Sequence, residues 1–372
     1  MVVILVISGI LLALVAVNAL YWPRVGGAGA AKPGAVSILI PARDEAERIG
    51  AAVAAALSQG DAVCETLVYD DHSHDGTADR ARAAAGGDPR LRVLSPAPLP
   101  EGWCGKTFAC ARLAAAARGE WLLFLDADTQ LRPGAAARLV AEAERRRCTL
   151  LSAWPGLDLR SFWERALLPL LNHVVFTLFP APLSFLSNRA SLGLAHGACI
   201  LARRAEYERT GGHAMVRAEL FEDTALARAW RAAGERALCL DGQDVVTVRM
   251  YDSFGGIWRG FQKNIRPAFR RELSFWCFLA FRAAVFLWPF LALPWAWARS
   301  ADGRPAAGAA AAALLGRATQ AARFGYPVWS CLLHPLAEGA LLAVGVTSWY
   351  KCRWGGGIQW KSRTYLGKSA RS

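Results

Sequence analysis

The sequence predicts an α/β protein with a mostly parallel, doubly wound sheet and with transmembrane helices at both ends. First, strand-like apolar runs alternate with helix-like stretches from Ala35 to residue 147, as in parallel sheets. Second, apolar segments of membrane-spanning length lie near both ends of the chain. Third, Asp126 and Asp128 directly follow the apolar run 121–125, and open α/β sheets bind their ligands at the carboxyl ends of such strands.

Residues 1–22 are predicted to form an N-terminal transmembrane anchor. The segment 2–20 is apolar apart from Ser8 and Asn18, and about 20 helical residues cross roughly 30 Å of hydrocarbon. No basic segment precedes it and no small-residue cleavage motif ends it, so we expect a retained anchor. Basic residues in the Gly/Ala linker 23–34 place the following chain in the cytoplasm.

The alternating region defines a domain over residues 35–253. Apolar runs predict four strands, at 36–40, 65–70, 91–94 and 121–126. The stretches between and after them predict four helices, at 43–59, 77–86, 106–118 and 133–147. Residues 162–186 are apolar but broken by three prolines, which favours a membrane-facing element, with a buried core helix as an equal alternative.

Residues 254–272 are predicted to form a basic helix at the membrane interface. Arg259, Lys263, Arg266 and Arg270 recur on one helical face, with a kink expected at Pro267. The alternative is an ordinary solvated charged face.

A C-terminal transmembrane region is expected over residues 273–350, with spans at 275–297 and 328–350. The segment 306–324 is ambiguous because its apolar part is short. We favour three spans in all, since these leave the basic tail 351–372 on the cytoplasmic side, as the positive-inside rule requires.

The net charge of +13 is concentrated beside the membrane segments. Residues 1–253 carry equal numbers of basic and acidic side chains, whereas 254–304 and 351–372 together carry +12. This distribution indicates a membrane partner and argues against nucleic-acid binding. The nine cysteines show no C-x-x-C spacing, which fits reduced thiols in the cytoplasm and makes a zinc site unlikely.

Other acidic motifs along the chain support a functional interpretation of the D-x-D pair. Alone, Asp126 and Asp128 also fit a solvated turn. At the end of a strand, one carboxylate can instead bind a ligand hydroxyl and the other a hard divalent cation. Three further segments carry carboxylates at the ends of predicted elements: SILIPARDE at 37–45, LVYDDHSHDGT at 67–77 and FEDT at 221–224.

These motifs, in this order, resemble the family 2 glycosyltransferases, which are inverting enzymes with the GT-A nucleotide-sugar fold. The resemblance covers residues 35–270. Within that family, LPEGWCGK at 99–106 is similar to a signature of the hopene-associated glycosyltransferases, and the ending GIQWKSRTY at 357–365 resembles the same subgroup. Similar sequences occur in carotenoid-modifying relatives.

The resemblance implies a donor site. Pro41, Arg43 and Glu45 would line the nucleotide pocket, and Asp71 would accept a hydrogen bond from a uracil-type base. Lys106 would add positive charge near the phosphates.

It also implies a metal and a base. Asp126 would hold the ribose or the metal, and Asp128 would bind the Mg²⁺ or Mn²⁺ that bridges the diphosphate. Asp223 would be the general base that takes the proton of the acceptor hydroxyl. Supporting or acceptor-side positions would be Glu222, Trp103, His196 and Trp258; the other histidines are expected in turns or in the core.

The expected activity is transfer of a sugar, from a UDP-sugar, to a membrane lipid of the hopanoid or polyprenoid class. The enzyme would be a multi-pass protein of the inner membrane with a cytoplasmic catalytic domain. A polyprenyl-phosphate or other glycolipid transferase is the nearest alternative, and a catalytically silent membrane scaffold is the alternative outside enzymes. The region after the E-D element matches Q-x-x-R-W only loosely, which argues against a processive synthase.

Overall fold

The computed structural model describes residues 1–27, 29, 31–361 and 363–365. The chain divides into two compact units. An α/β unit contains Pro23–Asp158 and Leu183–Met250, and a helical unit contains Met1–Trp22, Leu159–Pro182 and the chain from Tyr251 onward.

The α/β unit is built on a seven-stranded sheet. Numbered in chain order, its strands are β1 Val36–Ala42, β2 Val63–Asp70, β3 Leu91–Leu94, β4 Trp121–Leu125, β6 Leu150–Trp154, β8 Cys199–Arg203 and β9 Ala237–Asp241. Three short strands form a second sheet: β5 Thr129–Leu131, β7 Gly156–Leu157 and β10 Val246–Val248. A terminal hairpin pairs β11 Ile358–Trp360 with β12 Arg363–Tyr365.

The large sheet has the order β3-β2-β1-β4-β8-β6-β9. The first four strands are mutually parallel, and β6 is parallel to β9. Strand β8 alone in this sheet runs antiparallel to both of its neighbours, β4 and β6. The predicted fold class, a mostly parallel GT-A-type sheet with apolar helices at both ends, is confirmed.

Two hydrophobic cores cover the two faces of this sheet. Successive residues of β1 alternate between them, with Ile38 and Ile40 in one core and Leu39 in the other. Both cores are almost fully shielded from water, as expected for a parallel sheet covered by helices on both sides.

The helices of the α/β unit are α2 Ile49–Leu57, α3 Thr77–Ala85, α4 Gly105–Ala116, α5 Ala135–Arg145, α9 Arg204–Thr210 and α10 Glu222–Ala232, with α8 Ala181–Leu186 at its border. The helix predicted at 43–59 begins only at Ile49. Residues before it form a turn in which Asp44 has a φ of 51° and donates its N–H to Ser73, so the backbone there is committed to loop contacts.

The helical unit contains α1 Val2–Tyr21, α6 Phe162–Leu167, α7 Pro169–Leu178, α11 Phe254–Ile265, α12 Glu272–Arg282, α13 Trp288–Ala298, α14 Arg304–Phe324 and α15 His334–Arg353. A π-helical segment joins α12 to α13. Three stretches are long and apolar enough to span a membrane, Val2–Tyr21, Glu272–Ala298 and Val328–Arg353, and they contain the three predicted apolar segments.

The predicted basic helix over 254–272 is wrong in its extent. Helix α11 ends at Ile265, because Pro267 has no N–H with which to continue the helical hydrogen bonds. Only Arg259 and Lys263 therefore lie on α11. Arg266 follows its end and donates to the carbonyl of Phe269. The predicted tail 351–372 lies partly outside the described residues.

Helix α14 runs antiparallel to α1 along its length. Near one end, a Cβ on Gly308 would lie 2.8 Å from Cδ1 of Leu5, and near the other end Nη2 of Arg323 donates to the carbonyl of Trp22 at 3.0 Å. Helix α15 packs along α12 instead. Trp349 Nε1 donates to Oε1 of Glu272 at 2.7 Å near one end, and Arg282 binds Glu338 near the other.

Candidate active site

A pocket of about 230 Å³ opens at the edge of the large sheet where β1 and β4 end and β8 begins. Because β8 is antiparallel to β4, its first residue, Cys199, pairs with the last residue of β4, Leu125. The wall combines residues near the ends of parallel strands, residues near the start of the reversed strand and residues of neighbouring helical segments. In that order they are Pro41, Phe124, Leu125 and Asp126; Gly197 and Ile200; and Lys106, Cys110, His213 and Glu222.

Lys106 links two acidic residues in this pocket. Its Nζ lies 2.6 Å from Oδ1 of Asp126 and 2.8 Å from Oε1 of Glu222. Burial opposes the ammonium charge, but Asp126 and Glu222 outweigh it and raise the pKa of Lys106 well above its usual range. The side chain is therefore a permanent cation at neutral pH.

The loop before α4 fixes the position of Lys106 in the first turn of that helix. The backbone N–H of Cys104 donates to the carbonyl of Arg217 at 2.7 Å, and the hydroxyl of Thr107 donates to the same carbonyl at 2.8 Å. Trp103 lies just outside this turn and packs edge to face on Phe108, with ring centroids 5.7 Å apart. These contacts tie the start of α4 to the segment that precedes α10.

Asp223 is held by two backbone N–H groups. Gly197 donates to its Oδ2 at 2.9 Å, and Thr224 donates to its Oδ1 at 2.6 Å. A Cβ on Gly197 would lie 3.0 Å from Nζ of Lys106 and 3.5 Å from Oδ2 of both Asp126 and Asp223. The missing side chain at Gly197 thus leaves space where a cation and two carboxylates converge.

The pKa of Asp223 is raised to about 7. Burial is the largest cause and the neighbouring charge of Glu222 is the next, while the two backbone hydrogen bonds and Lys106 act in the opposite direction. A carboxylate with a pKa near 7 is suited to accept a proton at neutral pH.

Asp128 is the second acid with a strongly perturbed pKa. Burial raises its pKa to about 7, with further contributions from the charges of Asp126 and Glu45, and Arg48 and Lys106 only partly oppose this. The negative charges of these three carboxylates repel one another, and the nearby cations only partly offset that repulsion. Carboxylate oxygens are the usual ligands of hard divalent cations, and the negative charge gathered here would favour one.

Asp71 lies in the loop after β2, where it is 7% exposed. Its N–H donates to the carbonyl of Ala42 at 2.8 Å, and Nη1 of Arg43 donates to its backbone carbonyl at 2.6 Å. Glu45 is fixed in the same turn through its N–H, which donates to Oγ1 of Thr77 at 2.8 Å. The loops after β1 and β2 are thus joined in one polar wall.

His196 precedes β8 and is held as a neutral ring. It packs edge to face on Trp154 at 4.9 Å, and its Nδ1 accepts the N–H of Ala198 at 3.2 Å. Burial, followed by the charge of Lys106, lowers the pKa of His196 to about 3. Trp258 belongs to the helical unit, where it lines an apolar pocket with Leu167.

The structure thus brings Pro41, Lys106, Asp126 and Glu222 to one pocket and places the carboxylate of Asp223 beside Gly197 at its wall. Sequence reasoning missed His213, which also lines the pocket and whose Nδ1 lies 2.8 Å from the hydroxyl of Tyr207. No local pattern pointed to it, because its position depends on packing between distant segments.

Comparisons with known proteins show what the chain resembles. Residues 37–211 match the family described as Glycosyl transferase family 2. The chain is 27% identical over 235 residues to 4,4'-diaponeurosporenoate glycosyltransferase of Staphylococcus haemolyticus (strain JCSC1435), covering 62% of this chain and 60% of that protein. It is 28% identical over 257 residues to the protein of the same name from Staphylococcus aureus (strain USA300), covering 66% of each. The match therefore spans just under two thirds of these relatives.

A solved structure supports the fold over nearly the whole chain. The mannosyltransferase PcManGT from Pyrobaculum calidifontis, in complex with GDP-Man and Mn²⁺, superposes with a TM-score of 0.55. The superposition covers 94% of this chain and 99% of that one at 19% sequence identity. The sheet order and this superposition show that the chain has the GT-A fold, and its residues 37–211 resemble the family 2 glycosyl transferases.

Proposed function

We propose that this protein is an inverting glycosyltransferase that moves a sugar from a nucleotide donor to a polyprenoid lipid in the membrane. The observation that carries the proposal is the convergence at Gly197 of the Lys106 ammonium with the carboxylates of Asp126 and Asp223. One carboxylate with a pKa near 7, next to a fixed positive charge, supplies a base and a place for an anionic leaving group.

Asp223 acts as the base in this proposal. The acceptor O–H attacks the anomeric carbon of the donor, its proton passes to the carboxylate of Asp223, and the bond to the nucleoside diphosphate breaks. A single displacement inverts the anomeric centre. The N–H groups of Gly197 and Thr224 hold the carboxylate in place, so that it loses little freedom in the transition state.

Asp126 and Asp128 would hold Mg²⁺ or Mn²⁺. The fit rests on the donor set, since the negative charges of Asp126 and Glu45 raise the pKa of Asp128 and a bound cation would relieve that repulsion. When bound, the metal supplies Lewis-acid stabilisation of the diphosphate charge. Lys106 adds a second cation on the same side.

The nucleoside is assigned to the wall formed by the loops after β1 and β2. Asp71 would accept a hydrogen bond from the base of a UDP-sugar, with Pro41, Arg43 and Glu45 beside it. Support comes from the contacts that join the two loops, since Arg43 donates to the Asp71 carbonyl at 2.6 Å. Preorganised polar walls of this kind fix the orientation of a ligand.

The acceptor is assigned to the polyprenoid class. The curated relatives are named for 4,4'-diaponeurosporenoate, and three apolar helices suit a protein that meets its acceptor in a membrane. Within this class we propose a hopanoid, with Trp103, His196 and Glu222 on the acceptor side or in support. Trp258 would have a supporting role within the helical unit. The catalytic unit would lie on the cytoplasmic side of the inner membrane, because nucleotide sugars are made in the cytoplasm.

The proposal is tested with the full-length protein in detergent or in vesicles. UDP-sugars and GDP-sugars carrying a labelled sugar are offered together with hopanoid, carotenoid and polyprenyl-phosphate acceptors, and lipid products are identified by mass spectrometry. We expect a glycosylated polyprenoid of inverted anomeric configuration that depends on Mg²⁺ or Mn²⁺. Asp79→Asn, at an exposed carboxylate of α3, is the matched control for the active-site variants.

The outcomes separate the alternatives. Labelling of polyprenyl phosphate alone would replace the proposed acceptor by a lipid carrier. Failure of every donor to bind, with the protein folded and in the membrane, would favour a scaffold that lacks catalysis.

A further inference from the structure

A second polar cluster lies within the helical unit, away from the residues assigned to sugar transfer. It contains Arg282 of α12, Arg317 of α14 and Glu338 of α15, together with His173 and His334, and each is at most 2% exposed. Ionisable groups buried among apolar helices are costly, so such a cluster requires a specific explanation.

Arg282 is completely satisfied by its neighbours. Its guanidinium forms two hydrogen bonds with the carboxylate of Glu338, a third with Oγ1 of Thr177 at 3.3 Å and a fourth with Nδ1 of His173 at 3.2 Å. It also stacks on the ring of Phe286, 4.0 Å from the centroid. The negative charge of Glu338 is therefore already committed to Arg282.

Arg317 is in the opposite situation. Both Nη atoms of its guanidinium are buried and find no hydrogen-bond acceptor among the described residues. The groups that act favourably on it electrostatically are the thiol of Cys331, the carboxylate of Glu338, which Arg282 occupies, and the hydroxyl of Tyr326. Two guanidinium groups and one carboxylate leave the cluster with one uncompensated positive charge when the histidines are neutral.

Other buried polar groups of the helical unit are also unsatisfied, and His334 among them is close enough to feel the charge of Arg317. The hydroxyl of Ser330 and both ring nitrogens of His334 are buried without a hydrogen-bond partner in the described part of the chain. Oε1 of Gln320 is also unsatisfied, while its Nε2 donates to the carbonyl of Asn172 at 3.2 Å. Donors outnumber acceptors, so a group that fills this place must be rich in acceptor oxygens.

A metal ion does not fit this balance, although ligand atoms of His173, His334 and Glu338 lie within 4.8 Å of one another. A cation would add to a positive charge that is already uncompensated. It would also have to displace the guanidinium of Arg282 from both Glu338 and His173.

We propose that Arg317, with His334 and Ser330, binds a singly charged oxyanion, a carboxylate or phosphate group. A guanidinium with both Nη groups free offers the paired donors that match such an anion. Arg317 lies six residues before Arg323, whose side chain reaches the end of α1, so it is roughly 9 Å along the helix from that end. This depth suits an anion carried by a lipid, and a free anion is the other source of the same chemistry.

The test uses the full-length protein in phosphatidylcholine nanodiscs, with thermal unfolding as the readout. One arm replaces part of the lipid by phosphatidylglycerol, a second adds inorganic phosphate, and a third adds Zn²⁺. We expect the midpoint temperature to rise with the anion and to saturate. Arg317→Gln should lose the rise, with apparent affinity lower by about tenfold or more. Arg304→Gln, at an exposed position, is the matched control.

A rise with phosphatidylglycerol that Arg317→Gln abolishes assigns the anion to a lipid, whereas the same behaviour with phosphate alone assigns it to a free anion. Both support the site. Equal responses of wild type and Arg317→Gln overturn it, as does a zinc-dependent rise that Arg317→Gln retains. If Arg317→Gln does not fold, the wild-type protein alone still tests the proposal. The absence of a rise in midpoint temperature in both anion arms would overturn it. None of these readouts depends on sugar transfer.

Discussion

At the scale of single residues, Asp223 is the side chain whose loss should be most informative. We expect Asp223→Asn to lower the rate of transfer by roughly 10²- to 10⁴-fold, because an amide cannot accept the acceptor proton. Membrane association and thermal stability should stay close to wild type, since the amide oxygen can still accept one backbone hydrogen bond. Transfer to lipid is measured for this variant and for Asp79→Asn; full activity in Asp223→Asn would contradict its role.

The raised pKa of Asp223 predicts a particular pH profile. The base must be ionised to act, so activity should fall about tenfold for each pH unit below a midpoint near 7 and level off above it. The profile of kcat/KM is measured for the free enzyme at fixed metal concentration. A profile that stays flat from pH 5 to 8 would show that no carboxylate with this pKa limits the reaction.

Lys106 should move that midpoint. Its positive charge lowers the pKa of Asp223, so Lys106→Met should shift the midpoint of the pH profile upward. Donor binding should weaken about tenfold or more if the ammonium also contacts the diphosphate. Lys106→Arg keeps the charge and is the control whose midpoint should stay near that of wild type. An unchanged midpoint in Lys106→Met would reduce Lys106 to a structural part of the pocket.

The sequence identified the acids of this site but not how they are paired. The D-x-D and E-D motifs were visible because each follows or begins an element whose local pattern is clear. The pairing of Lys106 with Glu222 was not, since these residues are far apart in sequence and meet only after α4 and α10 pack on the sheet. Local patterns cannot encode such contacts.

At the scale of elements, Gly119 shows how tightly β4 joins the sheet. A Cβ at this position would lie 2.5 Å from the N atom of Ser37 and 2.9 Å from the carbonyl oxygen of Ala35, both in rigid backbone. We expect Gly119→Ala to cost about 1–3 kcal/mol in the free energy of unfolding. Thermal unfolding compares it with Gly27→Ala, where an added Cβ meets no atom within 4 Å. Equal stabilities would contradict the close approach.

Parallel strands were easier to predict than the reversed one. The runs at β1 to β4 are continuous apolar segments that alternate with helices, and their positions agree with the structure within two residues. Strand β8 was not predicted, because residues 199–203 follow a long irregular segment rather than a helix–strand alternation. The helix expected at 43–59 begins only at Ile49, because the hydroxyls of Ser73 and Thr77 accept the backbone N–H groups of Asp44 and Glu45.

At the scale of the whole molecule, the helix packing makes a prediction about topology that composition alone does not. Helix α14 is less apolar than the three candidate spans, yet it lies antiparallel to α1 along its length. If α1 crosses the bilayer, α14 must cross it as well. We therefore expect Asp302 and Val328, which flank α14, to lie on opposite sides of the membrane.

Thiol labelling tests this topology. Asp302→Cys and Val328→Cys are made with the exposed Cys277 changed to Ser, and each is treated with an impermeant maleimide on intact spheroplasts. Only Asp302→Cys should react from outside, and Val328→Cys should react after the membrane is opened. If both cysteine variants react in intact spheroplasts, residues 306–324 do not cross the membrane and the predicted arrangement of three spans is correct.

The reversed strand β8 also has a consequence for how the protein is made. Donor-side groups such as Asp126 leave the ribosome early, but Gly197 and Asp223 follow only after the segment Leu159–Pro182, which belongs to the helical unit, has been synthesised. Domains generally fold from the N-terminus during synthesis. A chain released before residue 223 would lack the proposed base, so under the proposed function incomplete products would not consume nucleotide sugar.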